Sequence, residues 1–215
     1  MTEKSFTEPA DDSVRENLLR IRDTMAAACA AAGRPETDVS LLAVTKTVEP
    51  ARINRALSLG VGQIGENRVQ EFLGKRDALR LDGVGVHLIG HLQTNKVTQI
   101  VGLVDCIESI DSLRVARAVS DASLKIGRVT DVLVEVNIGR EEAKSGVPAD
   151  QAAELVAAMG EIEGIRVRGL MTIPPADSDR DTNIRYFQEV RALYVDINEK
   201  LFHNELKCLS MGMSG

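Results

Sequence analysis

Short apolar segments with strand character alternate with helical segments along almost the whole chain of 215 residues. A first helix is predicted at about 12–32, and the alternation runs from about residue 40 onward. The predicted strands cover 40–46, 63–67, 86–90, 106–110, 131–137, 166–171 and 206–210. Strict alternation indicates a parallel sheet, because each helix returns the chain to the end of the sheet from which the next strand starts.

Two architectures of the α/β class fit this alternation. A (β/α)8 TIM barrel that lacks its eighth strand accounts best for the pattern. An open, doubly wound sheet is the alternative. No GxGxxG motif follows the first predicted strand, which argues against a dinucleotide-binding fold. We therefore expect a single barrel domain over residues 1–215, truncated after its seventh strand.

Composition excludes several classes of partner. The net charge of −6 argues against nucleic acid, and 3% aromatic residues without Trp disfavour base stacking. The amino-terminal segment MTEKSFTEPADDSV is polar, and no apolar segment is long enough to cross a bilayer, so we expect neither a signal peptide nor a membrane partner. The three cysteines, Cys29, Cys106 and Cys208, form no CxxC pair. We therefore expect no disulfide framework and a cytoplasmic location.

A lysine stands at the end of the first predicted strand, and barrels carry their active sites at such strand ends. Side chains alternate between faces, so Lys46 shares a face with Leu42 and Val44. If those two residues face the barrel interior, Lys46 points into its mouth. We expect it to be partly removed from water there, which favours the neutral amine that forms an imine with an aldehyde. A lysine reaching into solvent is the alternative interpretation, and Lys96 and Lys144 are alternative amines.

The segment SMGMSG, residues 210–215, is rich in Gly and Ser. Glycine lets the backbone approach a ligand closely, successive N–H groups can surround an anion, and barrels often bind phosphate after their last two strands. An ordinary turn is the alternative interpretation. Together with Lys46, the segment indicates a ligand with an aldehyde at one end and a phosphate at the other.

Other strand ends are less informative. Asn67, His91 and Met171 each stand at or next to one. His91 could contact a ligand, although a single histidine is more often structural. No cluster of potential ligands has the spacing of a metal site, so no metal is predicted.

Six stretches of the sequence form a pattern from about residue 40 to 215. They read LLAVTKT, IGENRVQE, HLIGHLQTNK, EVNIGREEAKSG, RGLMTIP and LSMGMSG. In order and spacing they resemble the signature blocks of the YggS/PROSC family of pyridoxal phosphate (PLP) homeostasis proteins. The resemblance implies a barrel related to the N-terminal domain of bacterial alanine racemases. It also implies a PLP carrier or regulator without established catalytic turnover.

The resemblance also assigns residues to the PLP site. Lys46 would hold PLP as a Schiff base, while Asn67, His91 and Met171 would line the pocket. The phosphate would be held by Ser210, Met211, Gly212, Met213 and Ser214. The family pattern continues with a helix and an eighth strand carrying Val-Arg-Ile-Gly-Thr, so we expect incomplete closure and weaker PLP binding. The implied partners are PLP and the PLP-dependent apo-enzymes that receive it, and we expect a monomer.

Two kinds of enzyme are the alternative functions. A racemase needs acid–base groups on both faces of the substrate Cα, and alanine racemases use a Lys and a Tyr. The only tyrosines, Tyr186 and Tyr194, fall on the helix predicted at 182–201, away from the strand ends. A Schiff-base aldolase often carries its lysine on strand six, which here ends Leu170-Met171-Thr172. We therefore predict a protein that is not an enzyme.

Overall fold

The computed structural model describes residues 12–141, 145–203 and 205–212, and strands alternate with helices throughout. The strands are β1 (Leu42–Val44), β2 (Gln63–Glu66), β3 (Gly85–Leu88), β4 (Cys106–Ile110), β5 (Thr130–Asn137), β6 (Val147–Pro148), β7 (Ile165–Thr172) and β8 (Cys208–Met211). The α-helices are α1 (Asp12–Ala31), α2 (Pro50–Ser58), α3 (Val69–Lys75), α4 (Val97–Ile100), α5 (Leu113–Lys125), α6 (Ala152–Gly160) and α7 (Arg180–Leu201).

The sheet is parallel and singly wound. Its order is β1-β2-β3-β4-β5-β7-β8, and the two-residue β6 pairs with the end of β5. Strand order follows chain order without reversal, which confirms the barrel type and excludes the doubly wound alternative. No ladder joins β1 to β8 in the described part of the chain, so the sheet is a partial (β/α)8 barrel.

The two faces of the sheet carry different side chains. Outward-facing residues such as Ile64 and Val132 pack with the helices in the main hydrophobic core. The inward face has a smaller apolar cluster of Cys106, Leu133 and Met171. This alternation follows from the pleat of each strand. The apolar cluster does not cover the carboxyl ends of the strands, where polar side chains stand.

The predicted boundaries differ from the observed ones where short turns replace regular structure. The sequence also predicts helices at 94–101 and 149–159, and in the structure each begins with a 3₁₀ turn, Thr94–Lys96 and Ala149–Gln151. Strand β1 is shorter than predicted, since Thr47 has a φ of 60° and turns the chain. Lys46 therefore lies in a turn beyond the strand.

Helix α1 packs outside the barrel against α2. The guanidinium of Arg22 donates hydrogen bonds to the carbonyl oxygens of Leu59 and Gly60, at 3.1 and 2.9 Å, where α2 ends. These bonds satisfy carbonyls that have no partner within the helix. Across the described residues, every helix is too short or too polar to cross a lipid bilayer.

Candidate functional site

Lys46 lies at the carboxyl end of β1, at the rim of the sheet. Leu42, which precedes it on the same face, packs over Gly65 of the neighbouring strand. The side chain of Lys46 is exposed. The expectation that it is partly removed from water is therefore wrong for this structure, since the ladder of β1 ends at Val44 and Lys46 stands in the turn that follows. Its amine is accessible to a ligand in solution.

The backbone around Lys46 is fixed although the side chain is exposed. The carbonyl oxygen of Thr45 accepts a hydrogen bond from Nζ of Lys75, at 2.8 Å. The N–H of Thr47 donates to Oε1 of Glu71, at 2.5 Å. Both partners belong to α3, so side chains of this helix fix the backbone of the turn on both sides of Lys46.

Asn67 follows β2 and is half-buried. Its Oδ1 atom is buried and has no hydrogen-bond partner. Since buried polar atoms in proteins normally have partners, this acceptor is available for a donor on a bound ligand. The structure thus places an unsatisfied polar group on the strand next to Lys46.

His91 lies just beyond β3, with 49% of its side chain exposed. Its Nδ1 is 3.4 Å from Oδ2 of Asp111, which follows β4. A carboxylate at this distance limits the orientations of the imidazole, whose exposed side faces solvent at the rim. His91 can therefore reach a ligand above the strand ends.

Three of the residues predicted to hold the phosphate, Ser210, Met211 and Gly212, lie at the opposite edge of the sheet, next to the predicted pocket residue Met171. Met171 of β7 and Ser210 of β8 are register partners, as are Thr172 and Met211. Met171 is buried on the inward face, Ser210 is half-buried and Met211 is exposed. Gly212 has a φ of 112° and open space where a side chain would be. Met213, Ser214 and Lys144 lie outside the described residues.

The alternative functional residues lie elsewhere. Lys96 is half-buried in the 3₁₀ turn that precedes α4. Tyr186 and Tyr194 are both on α7, and the hydroxyl of Tyr194 donates to the carbonyl oxygen of Leu206 at 2.7 Å. Neither tyrosine is at a strand end, as the sequence predicted.

Glu135 is a candidate site residue that the sequence did not reveal. It is the register partner of Met171, and its Oε2 atom is buried without a hydrogen-bond partner. Burial, and to a smaller extent the charge of Asp111, raise the pKa of Glu135 to about 7. The signal was available in principle, because Glu135 shares its face of β5 with Leu133 and precedes the strand end by two residues.

A second group that the sequence did not reveal lies deeper on the inward face. His87, Cys106 and Glu108 each place a potential metal-ligand atom within 4.8 Å of the others. Spacing along the chain could not show this, because the residues come from two adjacent strands. Nδ1 of His87 and Oε1 of Glu108 are 2.5 Å apart and form a hydrogen bond, while Oε2 of Glu108 is buried without a partner.

Comparison with known proteins gives matches along nearly the whole chain. The profile of the family described as "Alanine racemase, N-terminal domain" matches residues 12–215. The pyridoxal phosphate homeostasis protein of Aquifex aeolicus strain VF5 is 40% identical over 199 residues, which are 93% of this chain and 87% of that protein. The family profile extends over the whole candidate site.

Two solved structures are similar in fold and sequence. A crystal structure of a protein from Bifidobacterium adolescentis superposes with a TM-score of 0.88 and 35% identity, covering 97% of this chain and 90% of that one. PipY of Synechococcus elongatus PCC7942, solved with PLP bound, gives a TM-score of 0.75 and 26% identity, covering 89% of each chain.

Proposed function

Because this chain belongs to the alanine racemase N-terminal domain family, in the branch of the pyridoxal phosphate homeostasis proteins, we propose that it holds PLP on Lys46 and serves PLP homeostasis. The position of Lys46 carries this proposal. Its amine is exposed at a strand end, and its backbone is fixed on both sides by α3. Condensation of the amine with the PLP aldehyde forms a Schiff base and releases water, with no oxidant or reductant.

The chemical groups of the surrounding residues match those of PLP. PLP supplies an electrophilic aldehyde, a pyridine ring and a phosphate dianion. Asn67 offers an unpartnered amide oxygen at the end of β2, and Met171 offers an apolar surface on the inward face at the end of β7. Ser210 and the backbone at Met211 and Gly212 would hold the phosphate, together with the following Met213 and Ser214. His91 would contact the ligand from the rim.

The same residues support binding without catalytic turnover. Racemisation requires a second acid–base group near the reacting carbon, besides the lysine. The hydroxyl of Tyr194 is bonded to the Leu206 carbonyl, and Tyr186 also belongs to α7. Glu135, the register partner of Met171, has a pKa raised to about 7 by burial, and a carboxyl group of this kind would suit proton transfer.

Spectroscopy and covalent trapping test the assignment of Lys46. The protein is mixed with PLP, the imine absorbance is recorded, and the imine is reduced with borohydride before peptide mapping. We expect Lys46 to be the dominant labelled residue, and Lys46→Ala to lose most of the imine band. Lys96→Ala is the matched control and should retain it. Dominant labelling of Lys96 or Lys144 in the wild-type protein would refute the assignment.

Activity assays test the absence of turnover. Racemisation, decarboxylation and transamination of amino acids are compared with the rates given by free PLP at the same concentration. We expect no significant excess over free PLP. A large excess that disappears in Lys46→Ala would place the protein among the PLP enzymes.

The proposed role extends to location and partners. We infer a single barrel domain over residues 1–215 that acts as a monomer. We also infer a location in the cytoplasm, a compartment in which thiols such as those of Cys29, Cys106 and Cys208 stay reduced. The recipients would be PLP-dependent apo-enzymes. Light scattering measures the mass of the protein in solution. Activation of an apo-enzyme by the loaded protein, compared with the same amount of free PLP, measures transfer.

A further inference from the structure

Two side chains of α3 bind the peptide groups on either side of Lys46. Nζ of Lys75 donates to the carbonyl oxygen of Thr45 at 2.8 Å, on the amino side. Oε1 of Glu71 accepts from the N–H of Thr47 at 2.5 Å, on the carboxyl side. We propose that Lys75 and Glu71 are positioning residues, which set the direction in which the amine of Lys46 meets an aldehyde.

Lys75 is buried, with 9% of its side chain exposed, and it is fully paired. Its ammonium has three hydrogens, and three acceptors surround it. Besides the Thr45 carbonyl, these are Oε1 of Glu66 at 2.8 Å and Oε1 of Glu71 at 3.0 Å. A buried lysine with a complete set of partners has little freedom to move. The carbonyl that it binds is therefore fixed as well.

Glu66, at the end of β2, also binds Thr45. It is fully buried, and its Oε1 also accepts from the hydroxyl of Thr45 at 2.5 Å. Thr45 is thus held through both its side chain and its carbonyl oxygen. Oε2 of Glu66 is buried without a partner, so the carboxylate depends on Lys75 for its counter-charge.

Glu71 stabilises an unusual turn. Thr47 has a φ of 60°, a conformation that is unfavourable for a β-branched residue. The hydrogen bond from the Thr47 N–H, and then the nearby ammonium of Lys75, hold the pKa of Glu71 below its ordinary value. Glu71 is therefore ionised and bonded to the turn at neutral pH. Without this acceptor, Thr47 is free to return to a more favourable φ, which would redirect Lys46.

This inference rests on the proposal that Lys46 carries PLP. A buried ion pair can also act on stability alone. The two roles are distinguishable, since a positioning role changes the rate and the site of imine formation in the folded protein. A purely structural role changes only the thermal midpoint.

The main test removes Lys75 without leaving a buried carboxylate uncompensated. The double variant Lys75→Met with Glu66→Gln is mixed with PLP and, separately, with pyridoxal, and imine formation is followed by absorbance. We expect both rates to fall by about tenfold or more, as for the loss of one charge-assisted hydrogen bond. We also expect borohydride labelling to spread from Lys46 to other lysines. PLP and pyridoxal should be affected alike, because α3 acts at the amine and not at the phosphate.

Two further variants complete the design. Glu71→Ala removes the acceptor of the Thr47 N–H. Because the Glu71 side chain is 26% exposed, we expect this variant to fold even if the double variant does not. It should slow imine formation with both PLP and pyridoxal. Lys200→Met is the matched control. Lys200 pairs with Asp196 at the same four-residue spacing on α7, but on the surface, so its loss should leave both rates unchanged.

The outcomes separate the two proposals. Unchanged rates and labelling in folded Glu71→Ala, or in the folded double variant, would overturn the positioning role while Lys46 keeps its assignment. Dominant labelling of another lysine in the wild-type protein would overturn both proposals, and it would be seen before any variant of α3 is made.

Discussion

A Cβ atom on Gly90 would overlap with the carbonyl oxygen of Asn67 and would lie 2.7 Å from the Cα of Asn67. Gly90 follows β3 and Asn67 follows β2, so two adjacent strand ends approach more closely than any side chain permits. The hydroxyl of Ser109 donates to the Gly90 carbonyl at 2.8 Å and fixes it from the other side. This approach sets the position of Asn67 at the rim of the sheet.

Replacing Gly90 by Ala should therefore both destabilise the protein and weaken PLP binding. We expect a loss of about 2 kcal/mol or more in the free energy of unfolding, because the new methyl group meets backbone and not a movable side chain. Urea denaturation measures the loss, and imine absorbance measures binding. Gly74→Ala on α3, where a Cβ has open space, is the control and should be neutral or stabilising. A Gly90→Ala variant as stable as the wild type would contradict the geometry.

Periodicity predicted the fold because the alternation of strands and helices is local. The predicted strands at 106–110 and 131–137 match β4 and β5 to within one residue, and both carry the apolar residues of the core. The position of Lys46 at a strand end could be predicted for the same reason. Its exposure could not, because periodicity does not show that β1 already ends at Val44 and that Lys46 stands in a turn.

Buried polar residues were harder to predict, since their partners are distant in sequence or lie on other elements. Lys75 reads as an ordinary surface residue of a short helix, yet it is buried against Glu66 and the carbonyl of Thr45. Glu135 likewise reads as a polar residue in an apolar strand. Its environment becomes visible only when β7 is placed beside β5 in register.

Ser210 provides a test of the phosphate end of the site. We expect Ser210→Ala to raise the Kd for PLP about tenfold or more, since a hydrogen bond to a charged group contributes about 1.5–3 kcal/mol. Pyridoxal, which lacks the phosphate, should bind the variant and the wild type alike. Ser58→Ala, at an exposed position on α2, is the control. Equal weakening of PLP and pyridoxal would show that the phosphate lies elsewhere, near Asn67 or Lys96.

The thiols of the inward face should resist modification in the folded protein. Burial raises the pKa of Cys106 well above its ordinary value and that of Cys208 to about 11, and the carboxylate of Glu108 adds to both effects. Only the thiolate reacts with a disulfide reagent, so at pH 8 we expect Cys208 to react about a hundredfold more slowly than an unperturbed thiol. Mass spectrometry of the labelled peptides measures this. Denaturant should restore full reactivity, and rapid labelling of Cys208 before unfolding would argue against its position.

Glu135 should make the stability of the protein without PLP depend on pH. Burial raises the pKa of its carboxyl from 4.5 to about 7, so between these values the folded protein binds more protons than the unfolded chain. The stabilisation is complete below the lower value and is lost as the pH rises through 7. The loss accumulates between the two values at about 1.36 kcal/mol for each pH unit, and above pH 7 it is complete, at about 3 kcal/mol.

Glu135→Gln removes this titration while keeping the size and shape of the side chain. We expect the variant to be more stable than the wild type at pH 8, and the difference to shrink toward zero at pH 5, where the wild-type carboxyl is protonated in the folded state. Thermal unfolding at several pH values measures both. Glu154→Gln, exposed on α6, is the matched control and should show no such trend. A stability difference that is the same at pH 5 and pH 8 would mean that Glu135 does not titrate in this range, and it would also argue against Glu135 as a group suited to proton transfer beside Met171.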